Sequence, residues 1–139
     1  MKSIFLKPGK EESLKRFHPW VFSGAIHHMS EEPEEGEIVS VYTHKNEYIA
    51  TGHFQIGSIM VRVLSFEKEA IDQDFYERKL TIALDVRRRI GIIGNNNNTY
   101  RLVHGEGDNL PGLVIDVYGH TAVMQAHSVG MHKDRKILA

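Results

Sequence analysis

The sequence predicts an α+β fold: a small β-barrel, then one long helix, then the opening strands and part of a helix of a second α+β unit. Three observations carry this. Short alternating segments separated by turns fill residues 1–70. A helix-start signal at Asp72 opens a run of apolar residues at helical spacing. Residues 113–126 then read as a hairpin with a glycine-led turn.

In chain order, residues 11–17 have the pattern of a short helix. Pro19 should stop it, because a proline disfavours helical geometry at the preceding His18. Residues 36–41 (GEIVSV) and 47–50 suit strands around a polar turn at His44, Lys45 and Asn46. Residues 58–66 (SIMVRVLSF) alternate, with Ile59, Val61 and Val63 on one face and Met60, Arg62 and Leu64 on the other. Asp72 suits an N-cap, with Ile71 and Tyr76 placed to staple across it. Phe75, Tyr76, Leu80, Ile82, Ala83, Leu84, Val86 and Ile90 then predict a wide apolar helix face, opposite Arg78, Asp85, Arg88 and Arg89. Arg87 falls on the apolar side, where it either snorkels along its stem or, the favoured reading, forms a structural ion pair with a carboxylate from the hairpin. Gly91 or Gly94 should end the helix, and residues 95–98 an exposed asparagine loop.

The hairpin register follows from its turn. With Gly119 and His120 at the tip, Val117 pairs with Ala122, Ile115 with Met124 and Leu113 with Ala126 on a core face. The other face pairs Tyr118 with Thr121, Asp116 with Val123 and Val114 with Gln125, which leaves Asp116 outside the core. Ser128 is placed to cap a further helix from about Val129, and the pattern runs on to Ala139 with no Gly or Pro to end it.

Composition narrows the function. With 41% hydrophobic and 25% charged residues the chain is an ordinary globular sequence, and no apolar run approaches membrane-spanning length. It has no cysteine, which removes disulfides and thiolate metal sites and fits a cytoplasmic location. A net charge of −1 is low for a nucleic-acid binder, but the charge is uneven. Lys2, Lys7, Lys10, Lys15 and Arg16 lead the chain, while acid collects in EEPEEGE at 31–37.

Three clusters could carry chemistry. Lys15, Arg16, His18 and Trp20 lie within KRFHPWVFSG at 15–24, where cations suit phosphates and rings suit unstacked bases. Trp20 and Phe22 are expected mainly as core residues. His104, Glu106 and Asp108 crowd an acidic turn that also holds Gly105, Gly107 and Gly112. Its spacing fits neither a calcium loop nor a dinucleotide fingerprint, so the turn is structural, with Asp108 and Asn109 bonding their own backbone, or it lines a cleft. Nine histidines are scattered, with no metal-binding pair at helical spacing. His27 and His28, adjacent in a strand, should point apart, so no metal site is expected.

Two segments, RLVHGEGDNLPGLVIDVYG at 101–119 and RFHPWVFSGAI at 16–26, together resemble bacterial rRNA methyltransferases that modify C5 of cytosine with S-adenosylmethionine. The resemblance implies a PUA-like RNA-binding domain over residues 1–70. Residues 71–139 would be a linking helix and the start of a central domain. It implies that the chain is the front portion of such an enzyme, without the Rossmann-like catalytic domain, and inactive alone. S-adenosylmethionine would be bound by the parent, not by this portion. The PUA pattern implicates Arg16, His18, Ser23 and Gly24 on one loop and Arg62 on a late strand in holding ribosomal RNA. Glu106, Asp108 and Asp116 are implied to line the parent's cleft. A freestanding RNA-binding protein, or a homodimerising assembly module, remains the alternative.

Overall fold

A computed structural model describes residues 1–91, 93 and 98–139. The first sheet has six strands: β1 (Lys2–Leu6), β2 (Trp20–Phe22), β3 (Ile26–Met29), β4 (Ile38–Tyr42), β5 (Tyr48–Phe54) and β6 (Ile59–Ser65). They are ordered β2-β6-β5-β4-β1-β3 in a curled half-barrel, with β1 parallel to β4 and every other pair antiparallel. Ile4, Leu6, Val39, Val41, Val61 and Phe54 fill its core, each at 1% exposure or less.

Helix α1 (Glu12–Lys15) is shorter than residues 11–17, and Pro19 is not what stops it. Phe17 turns left-handed at φ 64°, and two bonds close the end: Phe17 N–H donates to the Leu14 carbonyl and His18 N–H to that of Ser13. This is a Schellman closure with phenylalanine where glycine is usual.

The second unit contains α2 (Gln73–Arg89), β7 (Thr99–His104), β8 (Leu113–Tyr118), β9 (Thr121–Ala126), α3 (Val129–Lys133) and α4 (Arg135–Leu138). Asp72 caps α2 by accepting from Phe75 N–H at 3.0 Å, and Gly91 at φ 80° follows its end. Gly94 and residues 95–97 of the expected loop lie outside the described residues. The three strands run β7-β8-β9, and all six hairpin pairs fall in the predicted register. Gly119, at φ 61°, leads the turn as a two-residue loop of this kind requires.

The apolar face of α2 is narrower than its sequence suggests. Phe75, Tyr76 and Ala83 are buried with Leu64, Val103, Leu110, Leu113, Ile115 and Met131, but Ile82, Val86 and Ile90 are 53%, 43% and 64% exposed. Strand β6 serves both cores, Val63 the first and Leu64 the second.

Ser128 caps α3 by accepting from Met131 N–H at 3.2 Å, but the expected single helix breaks at Asp134. The Asp134 carboxylate accepts from Tyr76 Oη at 2.5 Å and lies 2.8 Å from His53 Nε2 of β5. Burial alone would push this carboxyl up; the bonds from His53 and Tyr76 more than offset that and hold it below its usual value. The Tyr76 phenol is pushed up, first by burial and then by the carboxylate. Gly130 makes the approach possible, since a Cβ there would sit 2.1 Å from His53 Cγ.

Candidate nucleic-acid interface

Strand β2 is built on alternation: Val21 is buried at 2% exposure, so Trp20 and Phe22 share the other face. Neither belongs to the core, contrary to the expectation from their size. Trp20 is half-buried and Phe22 is 48% exposed. With His18 they form a group of tilted and edge-on rings whose centroids are 5.8 to 6.2 Å apart. The Trp20 N–H donates to His18 Nδ1 at 3.2 Å, fixing the imidazole over the strand.

The β2–β6 register sets Arg62 directly opposite Trp20. Arg62 is half-buried, not fully outward as its alternation suggested. One of its terminal nitrogens donates to Gln55 Oε1 at 3.3 Å and the Ile59 carbonyl at 3.4 Å. Across from it the Trp20 indole N–H donates to Glu106 Oε1 at 3.1 Å. A cavity of about 270 Å³ lies between, closed by His104, Val114 and His127. A second depression of about 260 Å³ opens on the other side of Trp20, between Phe22, Gly24, Lys10 and Ser13.

The structure thus brings together Arg62, Glu106 and the ring of Trp20, with Gly24 in the adjoining depression. Lys15, Arg16, His18 and Ser23 are exposed on the short helix, its closure and the turn after β2. Asp108 is turned elsewhere: it receives a bidentate ion pair from Arg87, 2.8 Å on its longer arm, and the His104 N–H at 2.6 Å. Both side chains are nearly buried, 13% and 7% exposed. Arg87 does form a structural pair, but its partner is the acidic turn, not the hairpin. The hairpin's Asp116 pairs instead with Arg101 at 2.8 Å, whose hydrogen bond holds the carboxyl below its usual value. Neither acid touches the cavity. Glu106 is the carboxylate that lines it, beside His104, Gly105 and Gly112 of the same turn. The sequence reading missed Trp20 and Phe22 as surface groups, although the small buried Val21 between them was the available signal.

Chemically this surface can stack on flat rings, donate from a guanidinium and accept at Glu106. Among the described residues no helix is long and apolar enough to cross a membrane.

Residues 4–66 match the model of a family described as a PUA-like domain. Over nearly its whole length the chain is also similar to curated proteins. It is 43% identical to ribosomal RNA large subunit methyltransferase I of Shewanella amazonensis, across 97% of this chain and 34% of that protein. It is 40% identical to the protein of the same name from Aliivibrio fischeri, across 98% and 35%. The chain therefore spans about a third of the length of these relatives. Among solved structures, a Streptococcus mutans protein provisionally described as a SAM-dependent methyltransferase shares the fold. Its TM-score is 0.83 at 17% identity, over 99% of this chain and 36% of that one. A provisionally described methyltransferase complexed with SAH matches equally. Residues 4–66 accordingly match the PUA-like domain model, in a chain similar over nearly its whole length to about a third of the length of proteins named ribosomal RNA large subunit methyltransferase I.

Proposed function

We propose that this chain is the RNA-holding portion of a methyltransferase that acts on large-subunit ribosomal RNA. Residues 1–70 are the RNA-binding unit, and 71–139 connect it to the rest of the enzyme. The observation that carries this is the pairing of Trp20 with Arg62 on the β2–β6 edge of a PUA-like sheet. A base stacks against Trp20 or Phe22 while Arg62, Arg16 and Lys15 meet the backbone, with His18, Ser23 and Gly24 completing the surface. Transfer from S-adenosylmethionine to C5 of a cytosine is the reaction that the sequence resemblance implies, while the relatives' names support methylation of large-subunit ribosomal RNA.

The described residues do not fit S-adenosylmethionine. The glycine-containing loop at 105–112 leads into strand β8, not a helix, and Asp108 there is committed to Arg87. Methylation at C5 needs a nucleophile that first adds to and saturates the pyrimidine ring; the resembling enzymes use a cysteine for it, and this sequence contains none. The chain alone binds RNA and transfers no methyl group.

Fluorescence anisotropy with a large-subunit rRNA fragment tests the reading. Replacing Arg16 and Arg62 together by Ala should weaken binding and flatten its salt dependence by up to about two phosphate equivalents. Trp20→Ala should cost a further ~1–3 kcal/mol of binding. Unchanged affinity in folded variants would refute the interface.

A further inference from the structure

We infer that His27 and His28 form a chelating site for a divalent transition-metal ion of tetragonal preference, copper(II) above all. Adjacent residues of a regular strand point to opposite faces, so the sequence assigned these two imidazoles to opposite sides. The β1–β3 ladder breaks that rule. Phe5 pairs with His28 and Leu6 with Ile26, which leaves His27 as the extra residue of a bulge. A bulge re-aims side chains, and here the two Nδ1 atoms stand 2.8 Å apart with the rings 79° from coplanar. His28 is also held from behind, stacked on Phe5 at 4.5 Å, and Phe5 is stacked in turn on Tyr42.

Both imidazoles are exposed and border a cavity of about 160 Å³ that His44 and Asn46 also line. Without an ion the 2.8 Å contact is a hydrogen bond, one Nδ1 donating to the other; moving that proton to Nε2 as an ion enters leaves two neutral Nδ1 lone pairs for it. Metal–imidazole bonds of about 2.0–2.1 Å set at a right angle place their nitrogens about 2.9 Å apart, whereas tetrahedral bonds need about 3.4 Å. The observed spacing is the square-planar one, the geometry of copper(II) and nickel(II), and copper heads the affinity order. Among the described residues no three His, Asp or Glu side chains already stand close enough to hold an ion. The protein's contribution is a two-nitrogen chelate, with water in the remaining positions. The residues lining this site are distinct from those lining the Trp20–Arg62 cavity.

Copper(II) alone, titrated calorimetrically into the whole chain in a non-coordinating buffer, tests the site. One equivalent should bind at least ten-fold more tightly to the wild type than to His27→Ala/His28→Ala. His132→Ala, an exposed histidine outside the cavity, should bind as the wild type does. Equal affinity of the double variant, or a comparable loss in His132→Ala, overturns the assignment. Electron paramagnetic resonance of the wild-type adduct gives a readout independent of any variant's folding. Coupling to two imidazole nitrogens is expected, and coupling to fewer refutes the chelate.

Discussion

In the six-stranded sheet Val39, Val41, Ala50 and Val61 lose all contact with solvent, and the strands curl so that each faces another across the core. In the three-stranded sheet burial fades from one edge to the other. Val103 on β7 and Leu113 on β8 are fully buried, while Val123 on β9 is 43% exposed. Helix α2 repeats the gradient, burying Phe75 and Tyr76 at its start and exposing Val86 and Ile90 at its end. A sheet that curves around its own core satisfies its apolar pattern internally. The three-stranded sheet instead depends on what α2, α3 and β6 bring to it. The second unit adds polar ties, Arg87 to Asp108 within it and Asp134 to its own Tyr76 and to His53 of the first unit.

The contrast can be broken at those ties. Asp108→Ala leaves the Arg87 guanidinium in a largely buried position without its partner, and should lower stability by about 3–5 kcal/mol in urea unfolding. A loss under about 1 kcal/mol would mean that α2 is held by its apolar contacts alone. Gly130→Ala drives a methyl into the His53 ring and should cost about 1–3 kcal/mol in the same assay.

Acid probes the Asp134 tie without mutation. Its folded-state pKa lies below the ordinary 3.8, so its stabilisation is fully present above that value and is lost as pH falls through the lower, folded one. Melting temperature should therefore drop below about pH 4, and Asp134→Asn should make that acid limb shallower. An unchanged limb would show that Asp134 does not link the units. The smallest effect belongs to the uncovered face: Ile82→Ser should shift stability by less than about 0.5 kcal/mol, where a buried apolar position would lose far more.

What the sequence disclosed was local. The caps at Asp72 and Ser128 need only a side chain and an N–H three residues on, and the hairpin register needs only a turn and a period of two. What it concealed depends on distant partners. Nothing near Arg87 indicates that Asp108, not Asp116, will meet it, because that choice is made when the acidic turn folds under α2. Asp134 breaks its helix on account of His53, 81 residues away. The bulge at His27 is set by β1, not by any residue beside it. Of the proposed interface, the sequence offers Arg16, His18 and Arg62 as candidates, whereas the exposure of the Trp20 face was misjudged because a large ring was weighed by size and not by its place in a Trp-Val-Phe alternation.

Strand β6 carries a consequence for how the molecule comes apart. With Val63 in one core and Leu64 in the other, the strand is a wall common to both. Losing either core strips one side of that wall and weakens what remains, so the two units melt as a coupled pair. Backbone amides of β6 should then be the last in the chain to exchange with solvent deuterium, slower than those of β9 on the open edge.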